Sequence, residues 1–482
     1  MDWLYKSPVV YRDLHRSYYL SEVFVLPAAV QQENYLHKHL SESSDSFRVI
    51  LPPVIGFVWC QMLWSHLPAR SWRRFLLEFL LIGLPSICTL TVANRYLSLY
   101  CVLSFAGIAW RLWRSGWSSK VAEAAKSYSY ELGRRPIVFT LLRATAYTGT
   151  CVAILAVDFE PFPKGYRKSR TFGAAVMDMG IGLFVVTMGM VSQRARHIKE
   201  LKKVLKVVTP LLLLGLARTL VIAWLDYQQD ACEYGKHLNA FFILGMTKLL
   251  GSVVSLLARN DRQLLPLSLG LLLLHELVLQ CGLSQYVISW QLRKGFYAAN
   301  REGLSSLPGC IALYLFSIYV AKWYTARNQL NFNVLCSKWR QLLIVTCLGW
   351  LSFLICVFVT GIARVTFNAG YVIWIMSTVL SLLLIFSFFF EFALQTPLKQ
   401  RLASGDAVAS KHSQTELPVF VETLNMNGLT HFMISNLLTG FVNMALSPDK
   451  RSATECVIIL SLYVLATSVV VFLLYLKRIR IA

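Results

Sequence analysis

Stretches of about twenty apolar residues recur along this chain from position 49 almost to its C-terminus, separated by short polar loops. A bilayer core about 30 Å thick takes roughly 20 apolar residues per helical span. Inside lipid each backbone N–H and C=O needs a partner within its own segment, and runs this long supply one only as helices. With 56% apolar and 15% charged residues, a water-soluble globule could not cover its apolar surface. The predicted fold class is therefore all-α, a polytopic membrane protein of about 13 transmembrane helices. The spans fall at 49–66, 75–93, 97–113, 137–157, 174–192, 207–225, 240–258, 264–281, 306–324, 341–361, 370–392, 430–446 and 456–476. Residues 1–48 form an N-terminal segment, and 49–482 a single integral-membrane domain with a flexible cytosolic connector at 393–429. No signal peptide precedes the first apolar run, so the first helix is expected to act as the insertion signal.

The formal charge of +22 does not mark a nucleic-acid binder, because the basic residues are dealt out in small groups between apolar runs. They orient the bundle instead. Arg70, Arg73 and Arg74, then Arg134 and Arg135, the run from Arg194 to Lys206, Arg259 and Arg262, Lys338 and Arg340, and the tail Lys477, Arg478 and Arg480 fall on alternate loops. Basic residues collect on the cytoplasmic side, so that face and the C-terminus are expected in the cytosol and the N-terminus in the lumen. One loop breaks the rule. The segment from Asp158 to Arg170 is lumenal by parity, yet holds Lys164, Arg167, Lys168 and Arg170. Contact with anionic phosphate is one reason for such a cluster, and lipid-headgroup anchoring is the other.

Charges inside spans cost about 2.5–3.5 kcal/mol each unless they face a cavity or a partner. Asp158, Asp178, Arg218 and Lys248 are read as occupying the lumenal half of four successive helices, with interhelical salt bridges as the alternative for Arg218 and Lys248. Asp158 sits beside a Pro-interrupted loop, where partial desolvation can raise a carboxylate toward a useful general base. Glu78, Arg143, His275 and Glu276 read as snorkelling or packing residues. The other lumenal loops, around Asp226–Asn239, Ala299–Gly303 and Arg364–Asn368, are rich in amides and charges. Recognition of a sugar or inositol needs such groups, and helix caps use them too. There is no nucleotide loop, zinc-protease motif or nucleophile elbow. The eleven cysteines show no metal spacing, and Cys232 with Cys281 is the pair to test as a bridge.

Several strings then resemble one family. Ala153 to Phe159, Met177 to Gly182, Tyr227-Gln, Glu233-Tyr-Gly235, Ala299 to Gly303 and Ser435 to Asn443 are similar, in order and spacing, to the PIG-W family of glycosylphosphatidylinositol (GPI) inositol acyltransferases, whose fungal members are called GPI-anchored wall transfer proteins. The resemblance implies an endoplasmic-reticulum membrane enzyme that moves a fatty acyl group, typically palmitoyl, from acyl-CoA to the inositol of glucosaminyl-phosphatidylinositol, with no bound cofactor or metal. It implies Asp158 and Lys168 as catalytic residues, and Arg167, Asp178, Arg218, Glu233, Tyr234, His237, Asn239, Asn300, Arg301, Glu302, Asn368, Asn436 and Asn443 as substrate-binding residues. Two departures stand out: the family's His-Trp-Asn-Phe string reads His237-Leu-Asn-Ala240, and a usual double arginine is reduced to Arg364. A lipid or solute transporter and a non-catalytic membrane subunit are the readings from other classes.

Overall fold

The computed structural model describes residues 29–65, 67–68, 70–116, 125, 128–133, 135–224, 231–289, 291–395 and 417–481. Among these, eleven helices are long and apolar enough to cross a bilayer. Two further helices stand where spans are expected. Helix α3 (Trp72–Leu90) carries Arg73, Arg74 and Glu78 in its first two turns, and α6 (Met179–Val191) is short. The remaining helices are α1 (Ala29–Val49), α2 (Leu51–Trp64), α4 (Leu97–Arg114), α5 (Ile137–Ala156), α7 (Leu201–Trp224), α8 (Ala240–Val254), α9 (Leu264–Val278), α10 (Arg301–Tyr324), α11 (Phe332–Val359), α12 (Ala369–Phe386), α13 (Val419–Leu446) and α14 (Ala453–Leu476). A three-residue antiparallel ladder pairs Ser129–Glu131 with Gln329–Asn331.

Helices α5, α6, α10 and α12 pack on one another at the centre. In its most apolar stretch α10 is 78% buried, against 11% for α7, whose apolar residues face outward as a lipid-exposed helix requires. Helices without a hydrophobic drive between them approach through small residues. Gly189 of α6 is such a contact, since a Cβ there would lie 2.7 Å from Ser317 Cβ on α10.

Three expectations change. Helix α1 runs into α2 as one helical segment from Leu36 to Trp64, polar in its first half, so the described part of the N-terminal segment packs with the bundle. Helix α13 begins at Val419, which shortens the expected connector; residues 396–416 lie outside the described residues. The helix is broken at Asn427, where φ is −135° and ψ 43°, and the span expected from 430 is the part after that break. Of the two readings of Glu78, packing holds. It is wholly buried and accepts from Arg74 Nε at 2.8 Å and from the Phe420 backbone N at 2.8 Å, tying α3 to the start of α13.

Candidate active site

The loops expected on the lumenal side do converge on one end of the bundle, and Asp178 is the knot. This wholly buried carboxylate accepts from Arg364 Nε at 2.9 Å, from the Ser169 backbone N with both oxygens at 3.1 Å, and from the Ala175 backbone N at 3.3 Å. The Tyr371 hydroxyl donates to the Asp178 carbonyl oxygen at 2.6 Å. A buried carboxylate is tolerated only with such a full set of donors and an opposite charge. Because Ser169 follows Lys168, the same contacts fix the backbone that presents Lys168. Helix α1 braces the loop from outside: Glu42 accepts from the Ala174 backbone N at 2.9 Å, and Ser46 Oγ donates to the Ala174 carbonyl at 2.7 Å.

Beneath these loops a cleft of about 200 Å³ opens between α1, α2, α5, α6 and α13. Along α5 its wall runs from Thr145 to Ile154, about 13 Å at 1.5 Å per residue. The deeper wall is apolar, with Leu90, Val152, Leu183, Phe184, Phe241 and Phe432. Its mouth is polar: Lys168, Arg218, Glu233, Tyr234, Arg364 and Asn436. An apolar slot ending in a few polar groups is the usual build of a lipid or small-molecule site.

One ion pair stands at this mouth, and a carboxylate–amide pair lies just beyond it. Lys168 Nζ lies 2.6 Å from Glu233 Oε1, each side chain about a third exposed. Asp158, one turn beyond Ile154, is half-buried, and its Oδ2 accepts from Asn443 Nδ2 at 2.9 Å. Burial pushes the Asp158 carboxyl above the usual carboxylate range, while the Asn443 hydrogen bond and the charges of Arg167 and Lys168 pull it back. Asn443 and Asn436 are seven residues apart on α13 and so share a face. The Asn443 Oδ1 atom is buried with no protein partner. Arg364, buried behind the mouth, stacks over the Tyr234 ring at 5.9 Å, and burial pushes the Tyr234 hydroxyl up to about 12.

The sequence profile of the GWT1 family matches residues 31–474, nearly the whole chain. The chain belongs to the GWT1 family. Among its relatives is a human protein named glucosaminyl-phosphatidylinositol-acyltransferase PIGW, 27% identical over 462 residues that cover 87% of this chain and 91% of the human one. Another is the GPI-anchored wall transfer protein 1 of Schizosaccharomyces pombe, 29% identical over 430 residues that cover 84% and 89% of the two chains.

In this GWT1-family chain the expected site residues divide into two groups. Lys168, Arg218, Glu233, Tyr234 and Asn436 line the mouth, Asp158 and Asn443 are paired just beyond Ile154 of its wall, and Arg167 lies exposed on the same loop as Lys168. The others make hydrogen bonds and ion pairs within the fold and lie outside the lining of the cleft. Asn239 caps α8 by accepting from the Phe241 and Phe242 backbone N–H groups, and its Nδ2 donates to the Gly215 carbonyl at 2.9 Å. Asn368 caps α12 through Tyr371 N and also holds Ala363 N, Thr360 O and Gly361 O. Wholly buried Asn300 binds the backbone N and Nδ1 of His237, whose exposed ring stacks on Phe296. Arg301 donates to the Ser289 and Gln291 carbonyls, and Glu302 pairs with Arg293 at 2.5 Å. Asp178 acts through Ser169 and Arg364 and does not reach the cleft itself.

Two more expectations are revised here, and the packing reading of His275 and Glu276 holds. Lys248 does not join the lumenal half: it points into a recess at the other end of the bundle. Cys232 and Cys281 are both free thiols. His275 and Glu276 both reach the turn before α12, His275 through the Thr366 carbonyl and Glu276 through the Ala369 backbone N, each at 2.9 Å. Tyr227 and its neighbours at 225–230 lie outside the described residues. Arg364 is the site residue that sequence reasoning left out of its set. Its signal was a lone buried-type cation in a loop otherwise short of charge, next to the Asn368 cap.

Proposed function

We propose that this chain is a GPI-biosynthetic O-acyltransferase of the endoplasmic-reticulum membrane, moving a palmitoyl-type acyl group from acyl-CoA to an inositol hydroxyl of glucosaminyl-phosphatidylinositol. The observation that carries this reading is an apolar cleft with an ammonium, Lys168, at its mouth and a desolvated carboxylate, Asp158, one helical turn beyond Ile154 of its wall and within reach of the Lys168 charge. The relatives' names supply the acceptor, the two groups a chemistry.

In this mechanism the Asp158 carboxylate takes the proton of the inositol hydroxyl as its oxygen attacks the thioester carbonyl. A C–O bond forms, the C–S bond breaks, and the proton passes from Asp158 to the departing thiolate. Lys168 stabilises the charge that builds on the carbonyl oxygen or holds a lipid phosphate, turning from Glu233 to do so. Asn443 orients Asp158, and its vacant Oδ1 can accept from a neighbouring inositol hydroxyl. A thioester is already activated, so a placed base and an electrostatic clamp suffice. The acyl chain would lie along α5 and α6 among Val152, Leu183 and Phe184.

Purified protein in nanodiscs, given acyl-CoA and glucosaminyl-phosphatidylinositol, should yield inositol-acylated lipid. Asp158→Asn and Lys168→Ala should each lower the rate by about a hundredfold or more. Wild-type rates in both variants would remove the mechanism, and absence of any product in the unaltered protein would favour a transporter or a non-catalytic subunit.

A further inference from the structure

At the end of the bundle opposite the cleft lies a second recess, of about 430 Å³, which acyl transfer leaves unused. The cleft meets the start of α6 and α8, at Val176 and Ala240. The recess meets their other ends, at Ser192 and Ser252, with Lys248 about 12 Å along α8 from Ala240. Five cations face it: Arg194, Arg196, Lys203, Lys248 and Lys322.

Arg194 is spent internally. It bonds Asp261 Oδ1 at 2.9 Å and the Ser255 and Ala258 carbonyls, and so fixes the floor. Arg196 shares Asp261 at 3.8 Å, and Glu200 is occupied by the Arg196 backbone N at 2.7 Å. Among the described residues no carboxylate lies within ion-pair distance of Lys203, Lys248 or Lys322. Lys248 and Lys322 are half-buried on two packed helices, α8 and α10, while Lys203 arrives on α7. Lysines that merely snorkel spread outward toward headgroups. Here they converge from separate helices on one cavity, which like charges resist unless an anion joins them. The hydroxyls of Ser192 and Ser252 already donate to their own helices, so the cations are the donors on offer.

We propose that this recess is a binding site for a phosphate ester, gripped by Lys203, Lys248 and Lys322 as point charges. Its volume exceeds that of inorganic phosphate and suits a phosphate carried on a larger group, which could be a soluble nucleotide such as the CoA end of the acyl donor or the headgroup of an anionic lipid. The readout is binding, so it stands apart from acyl transfer.

The test uses the full-length protein in phosphatidylcholine nanodiscs. One arm titrates adenosine bisphosphate and the other incorporates phosphatidylinositol monophosphate, with thermal stabilisation followed in each. A saturable response that falls with added salt is expected in at least one arm. A response to the nucleotide alone assigns a soluble ligand, and a response to the lipid alone assigns a headgroup. Lys248→Gln and Lys322→Gln should each weaken it about tenfold, with Lys248→Arg retaining it. No response in either arm, or one unaltered in both glutamine variants, overturns the proposal. Should a glutamine variant fail to elute like the parent protein, the salt series on the unaltered protein decides, and a salt-independent response counts against the site.

Discussion

At the scale of single residues, the site turns on how Asp158 is held. Burial raises its carboxyl and the Asn443 amide opposes that rise by bonding the ionised form. A base must be unprotonated to act, so activity should fall as pH drops through a value above the ordinary carboxylate figure of about 4. Asn443→Ala removes a bond that favours the charged form. Its acid limb should therefore move to higher pH while much of the rate above the limb survives; a pH–rate profile that stays put or moves down would contradict the role given to Asn443. The basic loop bearing Lys168 stood out in the sequence because its charge conflicts with span parity, and Asp158 because a carboxylate sits at the end of an apolar run, whereas the choice of Lys168 within that loop came from the family resemblance. Asn443 and Arg364 were not legible as partners, since Asp158 and Asp178 lie 285 and 186 positions away from them. Asn239, Asn300 and Asn368 are committed to internal hydrogen bonds for a physical reason. An amide near a helix end suits sugar recognition and capping equally, and where water is scarce the orphan backbone N–H groups claim it first.

At the scale of elements, the apolar runs identified the helices well, because length and hydropathy alone specify a span. What they could not show is where a helix breaks or how closely two meet. Helix α10 passes the turn Arg364–Phe367 with only Gly309 between them: a Cβ there would lie 2.0 Å from the Phe367 carbonyl oxygen. Phe367 itself has φ of +50°, so that turn has little room to yield. Gly309→Ala should push the turn away, withdraw Arg364 from Asp178, and loosen the loop that carries Lys168. We expect a loss of about 1–3 kcal/mol, measured as a lower melting temperature in detergent, together with reduced acylation. A variant with parental stability and rate would show that the turn is not coupled to the site.

At the scale of the whole molecule, the alternating basic loops forecast that one end of the bundle gathers the site, and the loops bearing Lys168, Glu233 and Arg364 do meet at one end. The orientation itself is open to a direct check. An N-glycosylation acceptor placed beside Lys164 should be modified in microsomes and one placed after Arg480 should not; the reverse pattern would invert the assignment of faces. At the break in α13, the Asn427 amide donates to the Ile479 carbonyl at 2.9 Å and accepts from the Ile481 backbone N at 2.7 Å, so the segment after α14 clasps the helix on which Asn436 and Asn443 are mounted. A helix interrupted along its length is thus fastened from outside its own turns, and a chain cut before Ile479 would leave that latch undone.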